Sequence, residues 1–191
     1  MSDDLENTLF EAKRLYEAQR YEEAFEKYLR AAESGGTSAQ WFVGQMYLLG
    51  KGTQQSDEEA LKWYLAAAEK GYADAQCALG FFYHNKKHDT ETAITWYEKA
   101  AAKGHMMSLW RLGKMFRWGI GVPADKLKAL GYFERAAQKG HVFAQRELAV
   151  LLLQGLLGWS QIPRGVWLFV KCIVRGISIT LRSEHDERLC N

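Results

Sequence analysis

The chain repeats itself, and that self-similarity limits its possible folds more than any other feature. Glycines close the segments AAESG at Gly35, AAAEKG at Gly71, AAAKG at Gly104, AAQKG at Gly140 and CIVRG at Gly176, at steps of 36, 33, 36 and 36 residues. Tyr28, Tyr64, Tyr97, Phe133 and Phe169 keep the same steps, and so do Ala24, Ala60, Ala93, Ala129 and Gly165. Three independent columns in one register mark an array of small units. A unit of ~36 residues cannot bury its apolar face alone, so each must stack on its neighbours.

Each period divides into two apolar-periodic segments joined by a short loop, such as Ala39 to Leu49 and Glu58 to Lys70, each long enough for about three helical turns. This is the pattern of a helix hairpin. The second segments start after Ser56, Asp89 and Asp125, whose side-chain oxygens can accept the orphan amides of a first turn. Ser56 and Glu59 also have the spacing of a capping box. The column glycines follow, suited to the left-handed conformation that closes a helix. Gly44, Gly80, Gly113 and Ala149 put a small residue in the middle of each first helix, where glycine is disfavoured by ~1 kcal/mol relative to alanine. A close helix crossing explains that choice. Ala67 with Ala68, Ala100 with Ala101 and Ala136 with Ala137 are expected to face it, with the aromatic column packing between hairpins.

Units such as AQWFVGQMYLLGKGTQQSDEEALKWYLAAAEKGY resemble the Sel1-like repeat, a relative of the tetratricopeptide repeat, whose pattern runs A-x-x-x-L-G-x-x-Y-x-x-G-x-G through W-Y-x-x-A-A-x-x-G. The resemblance is fullest over 37–72 and good over 106–141, where Gly119 and Gly121 repeat the loop pair Gly50 and Gly52. The unit 73–105 keeps AQ, LG, WY and AA, but its loop HNKKHD is three residues shorter. Residues 5–36 look more like a tetratricopeptide hairpin, 142–181 form a divergent apolar unit, and 182–191 are a polar tail.

The resemblance implies one all-α domain, a right-handed α-solenoid of about five stacked hairpins with the first helices forming its inner wall. Helical spacing on that wall selects Trp41, Gln45 and Leu48, then Cys77, Phe81 and His84, then Trp110, Lys114 and Arg117. Gln45, Lys114 and Arg117 have no reason to be buried and are expected to be solvated. Trp41 and Trp110 suit either the groove or the core between repeats. The resemblance further implies a non-catalytic adaptor holding a partner protein in the groove. Small bacterial Sel1-like proteins include immunity proteins that sequester a toxin, such as a type VI phospholipase effector, and this is the alternative reading.

Enzyme signatures are missing: the sequence has no G-x-G-x-x-G, Walker loop, G-x-S-x-G or H-E-x-x-H. No catalytic residue, cofactor or metal is therefore expected. His84 and His88 are four apart, but the intervening Lys86 and Lys87 would repel a cation. His105 and His141 follow repeat glycines, a position the family often fills with histidine. Cys77, Cys172 and Cys190 are spaced neither as a zinc site nor as a disulfide framework. Cys77 and Cys172 read as small buried hydrophobes. The start MSDDLENTLF lacks the basic and apolar regions of a signal peptide, so a cytoplasmic location is expected.

The net charge of +2 conceals a gradient: residues 1–36 carry nine acids against five bases, whereas 106–141 carry two acids against seven bases. Arg111, Lys114 and Arg117 recur every third residue with Trp118 nearby. This favours an acidic protein partner over an ordinary solvated face, and the excess is too small for a nucleic-acid binder. The segment VWLFVKCIVRGISITL, 166–181, is interrupted only by Lys171 and Arg175. It is too short and too charged to span a membrane, yet too apolar for a terminal repeat facing water. A helical wheel gathers Lys171, Arg175, Ser178 and Arg182 into one polar stripe. Trp167, Val170, Ile173, Val174 and Ile177 are therefore expected to be covered by a second copy, by a partner protein or by an anionic membrane surface, in that order.

Overall fold

The computed structural model describes the backbone of residues 2–156 and 159–174 and the side chains of 5–156 and 160–171. The helices among these residues are α1 (Ser2–Glu17), α2 (Tyr21–Glu33), α3 (Thr37–Leu49), α4 (Asp57–Glu69), α5 (Ala73–Asn85), α6 (Thr90–Ala102), α7 (Met106–Trp118), α8 (Lys126–Gln138), α9 (Val142–Leu153) and α10 (Ile162–Val174), with a short 3₁₀ turn at Trp159–Gln161. No strand occurs among the described residues. The main packing runs in chain order: α1 on α2, α2 on α3, and so on to α9 on α10. Each hairpin therefore buries its face against the next, which is the architecture of an α-solenoid.

The second helices begin at the expected caps. Ser56 Oγ accepts the Glu59 amide at 3.2 Å, Asp89 Oδ1 the Thr92 amide at 3.0 Å and Asp125 Oδ1 the Lys128 amide at 2.9 Å. The expected capping box at Ser56 is not closed. The Ser56 amide donates to the Tyr47 carbonyl at 3.0 Å instead, and the Glu59 carboxylate lies 3.5 Å from Lys62. Asp89 and Asp125 make the same backbone bond, to Tyr83 at 2.9 Å and Phe116 at 2.7 Å. The loop's return to the first helix consumes the amide that a capping box would use. The last helix starts at Ile162, ahead of the apolar run, because Pro163 in a first turn forfeits no helical hydrogen bond.

In the aromatic column Tyr28 stacks on Phe42 of the next hairpin at 4.7 Å, as expected, but three later members pack differently. An ideal Cβ on Gly44 would lie 2.7 Å from the Tyr64 ring, and one on Gly80 would lie 2.6 Å from the Tyr97 ring; Gly113 is closer still to Phe133. Tyr64, Tyr97 and Phe133 are buried. Each ring therefore lies inside its own hairpin against the glycine of the first helix. The missing side chain makes room for a ring, and the neighbouring alanines are left to line the seams.

Polar side chains tie one hairpin to the next. Gln40, Gln76 and Gln145 donate from Nε2 to the carbonyls of Ala32, Ala68 and Ala137 at 3.2, 3.1 and 3.3 Å. Those carbonyls belong to the last turn of the preceding second helix and also accept the amides of Gly35, Gly71 and Gly140 at 3.0, 2.9 and 3.0 Å, so each glutamine is a second donor. Leu109 occupies the same column in the fourth unit and cannot donate. There Arg135 Nη2 reaches the Ala101 carbonyl at 2.7 Å. Lys70 Nζ donates to the Gly35 carbonyl at 3.1 Å and Lys103 Nζ to that of Gly71, so the helix-closing glycines also receive the next unit.

Two glycine substitutions separate propensity from packing. Alanine favours a helix by ~1 kcal/mol over glycine, but overpacking a buried ring costs about 1–3 kcal/mol and leaves the clash dominant at Gly80. Gly131 in α8 is exposed, with nothing within 4 Å of an added Cβ. Urea unfolding should show Gly80→Ala losing about 1–2 kcal/mol and Gly131→Ala gaining about 0.5–1 kcal/mol.

Candidate protein-binding face

Aligning the first helices on Gly44, Gly80, Gly113 and Ala149 puts Trp41, Cys77, Trp110 and Arg146 in one column, and Gln45, Phe81, Lys114 and Val150 in another. The structure brings together Phe81, Trp110 and Lys114. The Arg111 guanidinium lies 5.0 Å from the Phe81 centroid and 6.0 Å from that of Trp110, and Lys114 Nζ lies 5.1 Å from the Trp110 centroid. On its other side Trp110 stacks on His141 at 5.5 Å with an interplanar angle of 27°, and Phe143 follows at 6.0 Å. Aromatic and cationic groups thus alternate across three hairpins, from α5 through α7 to α9. Cation–π contacts of this kind contribute ~0.5–1 kcal/mol each at exposed sites, enough to hold the side chains in place.

Trp41 and Gln45 stand apart from this run. Trp41 packs on Phe42 at 4.6 Å and Tyr72 at 6.1 Å, and Gln45 is part-buried on the same helix. The indole N–H groups of Trp41 and Trp110 are buried without a hydrogen-bond partner, although each residue as a whole is only part-buried. Both tryptophans therefore belong partly to the inter-repeat core. His84 is turned toward its own hairpin, with Nδ1 3.4 Å from Thr90 Oγ1. The shortened HNKKHD loop brings the start of α6 within its reach.

Arg117 corrects the expectation of a solvated groove residue. Its side chain is 9% exposed and pairs with Glu147, 11% exposed, whose other oxygen accepts Arg146 at 2.8 Å. A long cation reaching the next hairpin can be buried where an acid meets it. The three bases of α7 consequently do not form one uniform stripe: Arg111 lies over Phe81, Lys114 over Trp110, and Arg117 enters the seam with α9. Sequence reasoning passed over Glu147, Arg146 and Phe143. The available signal was an acid at Glu147 in the column otherwise filled by Phe42, Ala78 and Arg111.

The two repeat histidines sit at helix starts but differ electrostatically. His141 Nδ1 accepts the Ala144 amide at 3.2 Å, and burial pushes its pKa below the ordinary value. His105 Nδ1 lies 3.3 Å from the Ser108 amide and 3.0 Å from its hydroxyl, while Nε2 lies 3.2 Å from Asp74 Oδ1. Burial opposes the charge on His105, but the Asp74 hydrogen bond and the adjacent Cys77 raise its pKa to about 9. The reciprocal hydrogen bond from His105 holds the Asp74 carboxyl below its usual value. Cys77 is buried, and Cys172 and Cys190 lie outside the residues whose side chains are described.

Trp167 is 59% exposed and Val170 50%, joined on the outer face of α10 by Val166 at 48%. The side chains of Ile173 and Val174, and Ile177 altogether, lie outside the described residues. Among the described residues, no cluster of histidine, cysteine or carboxylate could hold a metal, and no helix is long and apolar enough to cross a membrane.

Repeated caps, ring-on-glycine hairpins and chain-order packing define a helix-hairpin repeat protein. The Sel1 repeat family pattern matches residues 37–72, 73–105, 107–141 and 142–169, more than half of the chain, so this protein belongs to the Sel1 repeat family. Its fold is similar to the crystal structure of a Sel1 repeat protein from Oxalobacter formigenes, with a TM-score of 0.80 and 29% identity over 88% of this chain and 70% of that one. It is also similar to c5321, a protective antigen present in uropathogenic Escherichia coli strains that displays an SLR fold. There the TM-score is 0.73 and the identity 29%, over 82% of this chain and 34% of that one. No curated protein matches the sequence.

Two measurements check this electrostatic picture. Removing one partner of a buried pair leaves a charge without its counter-ion, so Glu147→Ala should lower stability by about 2–4 kcal/mol in urea unfolding, with Arg117→Met/Glu147→Leu regaining most of the loss. In an NMR titration His105 should titrate near pH 9 and His141 below 6.5, and Asp74→Asn should bring His105 down. By linkage, the His105 contribution to stability is full below about pH 6.5 and fades as pH rises through about 9.

Proposed function

We propose that this protein is a non-catalytic scaffold whose first-helix face, from α5 to α9, binds an acidic segment of another protein. The observation that carries the reading is the unbroken run of Phe81, Arg111, Trp110 and Lys114, continued by His141 and Phe143. Part-buried aromatic anchors beside cations are the groups that dominate protein interfaces, because they desolvate a large apolar area while their charges orient the partner. The strongest local excess of base over acid, seven against two, falls in the unit that supplies α7. Complementary charge raises the rate of encounter and selects against wrong partners.

The test is affinity capture from native lysate with the wild-type chain, followed by calorimetry with the captured protein. Lys114→Glu and Phe81→Ala should each weaken binding by about tenfold or more, whereas Leu127→Ala, an exposed apolar residue on α8, should leave it within about twofold. Raising the salt concentration should weaken the wild-type complex and affect Lys114→Glu less. Equal affinity of all three variants for the captured protein would move the binding site elsewhere.

A further inference from the structure

The outer face of α10 is unusually apolar for an exposed helix face. Each earlier second helix is covered by the first helix of the next hairpin, but α10 is followed by no such helix among the described residues. Its inner side is satisfied: Gly165 is buried where an added Cβ would lie 3.1 Å from Leu152 and Leu153, and Leu168 packs on the core. Its outer side shows Val166, Trp167 and Val170 at 48, 59 and 50% exposure, close to the largest apolar exposures of the described residues. Lys171 Nζ lies 4.7 Å from the Trp167 centroid, so a cation borders the apolar strip.

The charge pattern indicates what would cover this strip. Between Glu147 and Glu184 the sequence contains no acid and four bases, Arg164, Lys171, Arg175 and Arg182. Arg164 is paired across the seam with Glu134 at 3.2 Å, and Lys171 stands beside tryptophan. A long apolar stretch free of acid and punctuated by bases complements a surface that is both apolar and negative. A helix with an exposed valine–tryptophan face bordered by Lys171 has the composition that lies in the plane of a bilayer interface, with tryptophan at headgroup depth. Among the described residues no helix is long and apolar enough to span a bilayer.

We propose that α10 docks the protein on an anionic membrane surface, with Val166, Trp167 and Val170 entering the headgroup boundary and Lys171 meeting anionic lipid. This site is distinct from the α5–α9 face and does not depend on that face binding a protein.

The experiment is co-sedimentation of the full chain with phosphatidylcholine vesicles, with and without phosphatidylglycerol, at low and high salt. Trp167→Glu and Lys171→Glu are both surface changes, and circular dichroism would verify that each variant remains helical. The expected result is binding to the anionic vesicles that falls about tenfold or more in either variant, weakens with salt and is slight on phosphatidylcholine alone. Lack of sedimentation with anionic vesicles at low salt would overturn the proposal, as would wild-type binding by Trp167→Glu. Light scattering supplies the remaining arm. A stable dimer that Trp167→Glu dissociates, together with no vesicle binding, would assign the strip to a second copy of the chain and also overturn it.

Discussion

A flat ring resting on a helical glycine is the contact from which this structure is built. Tyr97 can lie against α5 only because Gly80 offers bare backbone, and Tyr64 and Phe133 repeat the arrangement on Gly44 and Gly113. The ring sets how closely the two helices of a hairpin approach, and so fixes where the seam to the next hairpin falls. Each glycine sacrifices ~1 kcal/mol of helix propensity, while burying a ring of this size returns more than the glycine costs. In the last hairpin the small residue changes helix. Ala149 replaces the first-helix glycine, and Gly165 on α10 faces it so closely that an added Cβ would lie 3.2 Å from the Ala149 carbonyl. Close approach is retained although its chemistry is mirrored.

Directional bonds convert these hairpins into an ordered stack. Apolar seams alone tolerate sliding, whereas Gln40, Gln76 and Gln145 each seek one carbonyl on the preceding hairpin, and the lysines at the helix ends seek the glycine beyond it. Each of these carbonyls already accepts the amide of the glycine that closes its helix, so the side chain adds a second, directional donor from the neighbouring hairpin. In the fourth unit Leu109 removes the glutamine, and Arg135 reaches the Ala101 carbonyl from the following second helix. The array keeps a side-chain donor at this acceptor, and the residue supplying it can change.

The fold was legible in the sequence because its determinants occupy columns. Period, helix pairs and the caps at Ser56, Asp89 and Asp125 follow from residue identity at fixed spacing, and all are present. The side of a helix that a column residue contacts was less legible. The aromatic column was expected between hairpins; Tyr28 does stack on Phe42 of the next hairpin, but Tyr64, Tyr97 and Phe133 rest on the glycine of their own, since glycine on one helix and a ring on the other carry no label saying which of two neighbours they share. Face residues were the least legible. Phe81, Trp110 and Lys114 come together as helical spacing implied, but His84 is drawn aside by Thr90 through a loop three residues shorter, and Arg117 is claimed by Glu147 in the next unit. Both departures depend on a residue outside the helix on which the prediction was made.

Those departures also define how charge is distributed on the binding face. Counted along the sequence, α7 contributes three bases at equal spacing. In the structure Arg117 and Arg146 share the Glu147 carboxylate, so part of the positive charge is spent holding hairpin four to hairpin five. Arg111 and Lys114 lie instead beside aromatic rings. A partner carboxylate meeting these two would meet an aromatic surface at the same place, whereas Arg117 is drawn into the seam by Glu147. The useful charge of the face lies toward Phe81 and Trp110, where the apolar anchors are, and this coincidence lets one short acidic segment engage both kinds of contact.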